Sequence, residues 1–359
     1  MNSLADMSVS DLWTYLSHTD KPIVMYGMGN GADKILSVLD KYNVSVADFF
    51  ASDGFVRGHS FHGKVVLSFD EIIEKYNDPI ILLSFGSNLP EVLNRIYRLS
   101  EQYEFYAPDV PVSGDNLFTS SFYTDNMSGI ESARALLADD LSKHIYDEVI
   151  RYKLSGRVEH LRSSYVSCDD VFLKLLTPSE YKTYVDLGAY NGDTIRQLIS
   201  YGADPDRIIA FEPDVRSFRK LKAYADNSGT PEIFELYNNA VWSENTCLSF
   251  NNEGNRNSGV SASGKQVQAL ALDKITNAAN ADYMKFDVEG SEQEALLGSA
   301  EIIRSKKPDL FVSLYHRSED IFSLIHLVHS LCPEYKLYVR RFEYVPAWDL
   351  SLIATVRNI

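Results

Sequence analysis

Apolar positions in this chain gather into short runs that stop at a glycine or a carboxylate, and most runs are followed by apolar residues at helical spacing. Continuous apolar runs predict buried strands, and an i, i+3, i+4 recurrence predicts a helix with one apolar face. The sharpest instance is Tyr184-Val185-Asp186-Leu187-Gly188-Ala189-Tyr190-Asn191-Gly192-Asp193-Thr194, with Ile195, Leu198 and Ile199 behind it. It predicts strand, tight turn and helix. A turn built on glycine lets a ligand approach the backbone closely, and the following helix N-terminus is where α/β proteins hold nucleotide-like ligands. The spacing Gly188-x-x-x-Gly192 differs from the Gly-x-Gly-x-x-Gly of dinucleotide enzymes, and no Gly-Lys-Ser/Thr follows.

The front of the chain carries a second turn of this kind. A strand over Lys21–Tyr26 opens into Gly27-Met28-Gly29-Asn30-Gly31-Ala32, with Ile35, Leu36 and Leu39 predicting a helix. Val46 to Ser52 predicts a second strand ending at Asp53, where a ribose-binding carboxylate is expected in nucleotide folds. Two readings stand open here: a nucleotide site, or glycines that merely let helix pack on strand. Ser10 is the expected cap of a first short helix, and Ser68-Phe69-Asp70-Glu71 opens another after a short strand at Lys64–Leu67. Pro79 to Phe85 is a continuous apolar run, hence a buried strand. His59 and His62 lie in the Gly54–Gly63 loop with no third ligand nearby, so they read as solvated. Residues 20–110 thus alternate strand and helix as a small Rossmann-like unit. Residues 115–180 predict bridging helices on which Arg151, Lys153, Arg157 and Arg162 read as a solvated face rather than an anion site.

In the back half, Arg207–Phe211 predicts a strand ending in Glu212-Pro213-Asp214, with Asp214 placed to cap the next helix. Glu212 lies 24 residues beyond Gly188, near the ~20-residue distance at which a carboxylate meets ribose hydroxyls. A third strand, Glu232 to Tyr237, leads to Asn238-Asn239-Ala240-Val241-Trp242. Asn251–Lys265 is rich in Gly, Asn and Ser and predicts a loop and candidate lid; a short strand over Gln266–Leu272 follows and ends at Asp273. Tyr283–Phe286 runs into Asp287-Val288-Glu289-Gly290, and Ser291 with Glu294 fits a capping box. Asp309–Tyr315 delivers His316 to the same sheet edge, whereas His326 and His329 fall on the next helix as packing or surface residues. Tyr335–Arg340 and Leu350–Val356 predict a closing β-hairpin, which a dinucleotide fold lacks.

Composition narrows the function. With 359 residues, the chain exceeds the roughly 250–300 at which one core stops growing, so two domains are expected. A net charge of -16 argues against binding nucleic acid or an anionic membrane. Cys168, Cys247 and Cys332 offer neither a disulfide framework nor a zinc site. The first 20 residues lack the apolar core of a signal peptide, and no apolar run approaches the ~18 residues of a membrane span. A cytoplasmic location is expected.

Taken in order, Val185–Thr194, Phe211-Glu212-Pro213-Asp214, Asn239-Ala240-Val241, Leu272-Asp273 and Lys285-Phe286-Asp287-Val288-Glu289-Gly290 resemble the FkbM family of S-adenosylmethionine-dependent methyltransferases. The resemblance spans Tyr181 to Val356, half the chain. It implies an α/β architecture: a class I methyltransferase domain at 181–359, with a Rossmann-like seven-stranded sheet and terminal antiparallel hairpin. A helical bridging segment at 115–180 and a smaller N-terminal Rossmann-like α/β domain at 1–114 precede it. The resemblance also implies S-adenosyl-L-methionine as cofactor. The expected reaction is O-methylation of a saccharide, sugar nucleotide or related glycan precursor, as in polysaccharide biosynthesis. By the resemblance, Asp186, Gly188, Ala189, Asn191 and Thr194 surround the methionine part, with Tyr190, Gly192 and Asp193 in the same turn. Glu212, beside Pro213, holds the ribose, and Asn239 and Ala240 lie near the adenine. Asp287, Glu289 and His316 are the candidate catalytic groups. His316 has the unperturbed pKa best suited to a base, and Asp287 is suited to orienting the acceptor or the cofactor amine. Two carboxylates are too few to predict a metal. The 22 tyrosines offer aromatic faces and hydroxyls suited to sugar rings. The 251–264 loop departs from the family pattern. Two rival readings are weaker. An NAD-dependent sugar-nucleotide oxidoreductase built on Gly27, Gly29 and Ala32 lacks a Tyr-x-x-x-Lys pair. A non-catalytic ligand-binding protein is disfavoured by the intact opening motif and Glu212. The sequence predicts a small-molecule or glycan acceptor and says nothing of oligomeric state.

Overall fold

The structure, a computed structural model, describes residues 10–56, 58–229, 233–251, 259–260 and 265–358. In the front half, strands Ile23–Tyr26, Asp48–Phe50, Ile80–Leu83 and Phe105–Tyr106 form a parallel sheet in the order second, first, third, fourth. Its first three strands are buried throughout, as the continuous apolar runs require when helices cover both faces of a parallel sheet. The run Val46–Ser52 is strand only over 48–50, and Asp53 opens a short helix, Asp53–Val56. Helix Asn30–Lys41 follows the first glycine turn. A Cβ at Gly31 would stand 2.1 Å from the Ser84 carbonyl oxygen, so this glycine is needed for backbone packing, which favours the structural reading of that turn.

Local details refine the sequence expectations. Asp11, not Ser10, caps the first helix, Leu12–Leu16, by accepting from the Thr14 N–H at 2.9 Å. Ser68 and Glu71 form a reciprocal capping box. His62 lies on the surface, 2.7 Å from Asp33. Helices Ser120–Ala135 and Asp140–Ser155 dominate the bridging segment. The solvated-face expectation fails for Lys153, which is buried and pairs with Asp109 at 3.0 Å. Its neighbours Arg151, Arg157 and Arg162 pair with Glu148, Glu159 and Glu101.

The back half is a seven-stranded sheet. Thr183–Leu187, Arg207–Phe211, Ile233–Tyr237, Tyr283–Phe286 and Asp309–Ser313 run parallel, and hairpin Lys336–Arg341 with Leu350–Thr355 closes one edge antiparallel. Thr183–Leu187 lies between Tyr283–Phe286 and Arg207–Phe211, so the turns after these three strands share one edge. The strand expected at 266–272 forms as Lys265–Leu270 but belongs to a separate small sheet with Ala240–Val241, Thr246–Asn251 and Gly259–Val260. Most of the candidate lid, 252–258 and 261–264, lies outside the described residues. Among the described residues no helix is long and apolar enough to cross a membrane.

One apolar cluster joins both halves. It runs from Tyr26, Phe50 and Leu83 through Tyr123, Ile130 and Ile145 to Val185, Phe286 and Leu352. A smaller cluster, with Met25, Ile35 and Leu82, fills the opposite face of the front sheet.

Candidate active site

The Thr183–Leu187 strand ends at Gly188, whose φ of 89° and closeness to the next strand exclude a side chain: a Cβ there would stand 1.9 Å from the Asp287 carbonyl oxygen. The turn ends at Gly192, and helix Asp193–Ser200 follows. Asp186 is fully buried beneath this turn, its Oδ2 accepting from Thr194 Oγ1 at 2.6 Å and Tyr184 Oη at 2.8 Å. Asp186 tethers the turn to the sheet and does not line the cleft. Register places Lys285 directly across from Asp186 on the neighbouring parallel strand. Its buried ammonium donates to the Gly188 carbonyl at 3.0 Å and lies 3.4 Å from Asp186 and 3.5 Å from Asp287. Burial alone would depress its pKa, but the carboxylates of Asp186, Asp287 and Asp193 raise it above the usual lysine value.

A cleft opens over this edge. Gly188, Tyr190, Asp193 and Thr194 line it from the turn, Glu212 and Pro213 from the next strand end, and Asn239 and Ala240 from the third. Ala189 is buried, Gly192 serves as the helix cap, and Asn191 turns its Oδ1 to Arg196 at 3.0 Å. Glu212 is buried with its two oxygens accepting from the N–H groups of Tyr190 and Asp214, each at 2.8 Å. Burial pushes its carboxyl up to about 7, against the pull of those backbone donors. Asp214 caps helix Val215–Ser228 through the Ser217 N–H. Asn239 Nδ2 donates to the Gln268 carbonyl at 3.2 Å, which fixes its side chain at the rim.

Asp287 and Glu289 line the opposite wall. Asp287 Oδ1 accepts from Ser313 Oγ at 3.0 Å and Tyr315 Oη at 3.1 Å. Burial works to raise its pKa, but Lys285, His316 and these hydroxyls hold it below the usual carboxylate value. Glu289 sits at φ 55°, and burial raises its proton affinity. His316 does not reach the cleft. It is 0% exposed, with Nε2 3.4 Å from Glu289 and 3.5 Å from Asp287, and Nδ1 2.9 Å from Glu292. Burial would lower its pKa, but Glu292 and Glu289 raise it well above the ordinary value. The burial of His316 away from the cleft and the surrounding acids make a free histidine base at this position less favourable than the sequence suggests. The expected capping box at Ser291 and Glu294 does not form: Ser291 makes no side-chain cap bond. Glu292 instead turns inward and accepts from the Val288 N–H at 2.8 Å. The segment behind the front sheet closes over this corner, Ser113 N–H donating to the His316 carbonyl at 2.9 Å.

Sequence reasoning passed over Lys285, Glu292, Ser313 and Tyr315. A lysine inside the apolar run Tyr283-Met284-Lys285-Phe286 was the available signal, since a charge on a buried strand requires partners. Glu292 gave no signal apart from the helix it opens.

A parallel sheet closed by an antiparallel hairpin, with a cleft at its carboxyl edge, defines a class I methyltransferase fold. Residues 186–345 match the family profile of the Methyltransferase FkbM domain. The chain carries a methyltransferase FkbM domain over residues 186–345. The methyltransferase FkbM from Methylobacillus flagellatus KT is 20% identical and superposes with a TM-score of 0.72 over 93% of this chain and 90% of that one. Precorrin-6y C5,15-methyltransferase from Geobacter metallireducens GS-15 is 12% identical, with a TM-score of 0.33 over 51% of this chain and 84% of that one. Aeropyrum pernix fibrillarin, solved in complex with S-adenosyl-L-methionine, is 11% identical, with a TM-score of 0.31 over 50% and 70% of the two chains. No curated protein sequence matches this chain.

Proposed function

We propose that the chain is an S-adenosyl-L-methionine-dependent O-methyltransferase acting in the cytoplasm on a hydroxyl of a saccharide, sugar nucleotide or related glycan precursor. Its parts in this reading are a front domain at 1–114, a bridge at 115–180 and the methyltransferase domain at 181–359. The observation that carries the reading is the cleft itself, with Glu212 on one wall and Asp287 and Glu289 on the other.

The residues present fit the cofactor. Each Glu212 oxygen spends one acceptor position on a backbone N–H, and an ionised carboxylate offers about four, so positions remain for two ribose hydroxyls. Asn239 and Ala240 border the adenine side, and Gly188 to Thr194 the methionine side. When bound, S-adenosylmethionine supplies an electrophilic methyl group on a sulfonium.

The chain's own residues then have two tasks. Asp287, kept anionic by Lys285 and held by Ser313 and Tyr315, accepts a hydrogen bond that aligns the acceptor hydroxyl. Alignment of this kind lowers a barrier by several kcal/mol. Glu289, with its raised proton affinity, takes the hydroxyl proton, a role worth roughly 10²–10⁴-fold. His316 stands behind both, within 3.5 Å of each. The test is transfer of tritium from methyl-labelled S-adenosylmethionine into a panel of glycans and nucleotide sugars. Labelling of a saccharide oxygen is expected, and exclusive labelling of protein or nucleic acid would overturn the acceptor class.

A further inference from the structure

The acids around His316 outnumber the cations. Asp287, Glu289 and Glu292 each place an oxygen within 3.5 Å of the ring, and Asp320, buried on the next helix, feels the charges of Glu292 and His316. Lys285 is already shared between Asp186 and Asp287. Burying unpaired carboxylates is costly.

The geometry is unusual for ion pairs. Neither ring nitrogen of His316, nor Oε2 of Glu292, has a hydrogen-bond partner among the described residues, although Glu292 Oε1 lies 2.9 Å from Nδ1. An oxygen that close without hydrogen-bond alignment stands to the side of the N–H direction. That is where neighbouring ligands of one cation stand, because two donors about 2.1 Å from an ion and at right angles are about 3 Å apart. Asp287, Glu292 and His316 each offer one ligand atom, and these lie within 4.8 Å of one another.

We propose that Asp287, Glu292 and His316 bind a divalent cation at the floor of the cleft. Two carboxylates and one imidazole suit a first-row divalent cation, of which Mn²⁺ accepts both ligand types and is read by electron paramagnetic resonance. On binding, the imidazole gives up one proton to solvent and keeps the other on the nitrogen turned away from the ion. Asp287 lines the cleft, so the ion's remaining positions face an incoming acceptor oxygen. That use of the ion rests on the reaction proposed above; the binding does not.

The test is therefore run without S-adenosylmethionine. The full chain, stripped of metal by a chelator, is titrated with Mn²⁺ and free ion is counted by electron paramagnetic resonance. One Mn²⁺ per chain is expected, with nitrogen coupling from an imidazole in the pulsed spectrum. Glu292→Gln should weaken binding at least ~10-fold, and His316→Gln should abolish the nitrogen coupling. Asp287→Asn, at the cleft wall, serves the same purpose if a buried variant does not fold, and Glu212→Gln should retain Mn²⁺. No stoichiometric binding below a Kd on the order of 1 mM, no nitrogen coupling, or unchanged affinity in folded Glu292→Gln and Asp287→Asn would overturn the site. Absent Mn²⁺ uptake beside intact glycan labelling would overturn this inference alone, and the converse would overturn the reaction alone.

Discussion

Glu212 joins structure to pH at the scale of one residue. Burial lifts its carboxyl from an ordinary 4.5 to about 7, so the folded chain retains a proton that the unfolded chain releases. The stability this group contributes is full below about 4.5 and is lost as pH rises through about 7. In the proposed ribose-binding role of Glu212, cofactor binding runs the other way, because ribose hydroxyls donate best to the ionised form. Affinity for S-adenosylmethionine is expected to rise between pH 6 and pH 8, and Glu212→Gln to bind more weakly with no such slope. Calorimetry at the two pH values checks this; equal wild-type affinities would remove Glu212 from the ribose site.

Among the elements, the closing hairpin and the bridging helices are held together by Arg341. Its guanidinium is fully buried and donates to the carbonyls of Ser164 at 3.2 Å, Tyr344 at 2.8 Å and Phe342 at 3.2 Å, and to that of Leu161. Burial lowers its pKa to about 10, so it remains charged at neutral pH. Arg340 adds a second clasp through Asp139 and Ser142. Arg341→Leu leaves several buried carbonyls without a donor, at about 1–3 kcal/mol each. A fall in Tm of more than about 5 °C is expected by differential scanning calorimetry, and an unchanged Tm would show that water replaces the guanidinium.

At the scale of the whole molecule, the two sheets share one apolar cluster through the bridging helices, and buried pairs such as Lys153–Asp109 tie the bridge to the segment behind the front sheet. The full chain is expected to unfold in a single calorimetric transition, because separating the halves exposes that shared core. Two resolved transitions, or a stable 116–359 fragment, would make the front domain an independent unit. The front glycine turn belongs to the same scale. It reads as a nucleotide motif in isolation, yet Gly31 is pressed against the Ser84 carbonyl.

Much of this was legible in the sequence, because apolar periodicity and glycine placement are local. The seven strands, the turn at Gly188, the carboxylate at Glu212 and the hairpin all declare themselves within about ten residues of chain. The strand at 265–270 was legible too, but not the sheet it joins, since pairing is a long-range choice. What only tertiary structure decided is the electrostatic character of the site. Lys285 meets Asp186 through the register of two parallel strands, although the two residues lie 99 positions apart in the chain. His316 is buried against Glu292 because one helix turns that carboxylate inward, where a capping pattern pointed to Glu294 instead. Proton affinity depends on burial and on neighbouring charge, and neither is a property of a residue's position along the chain.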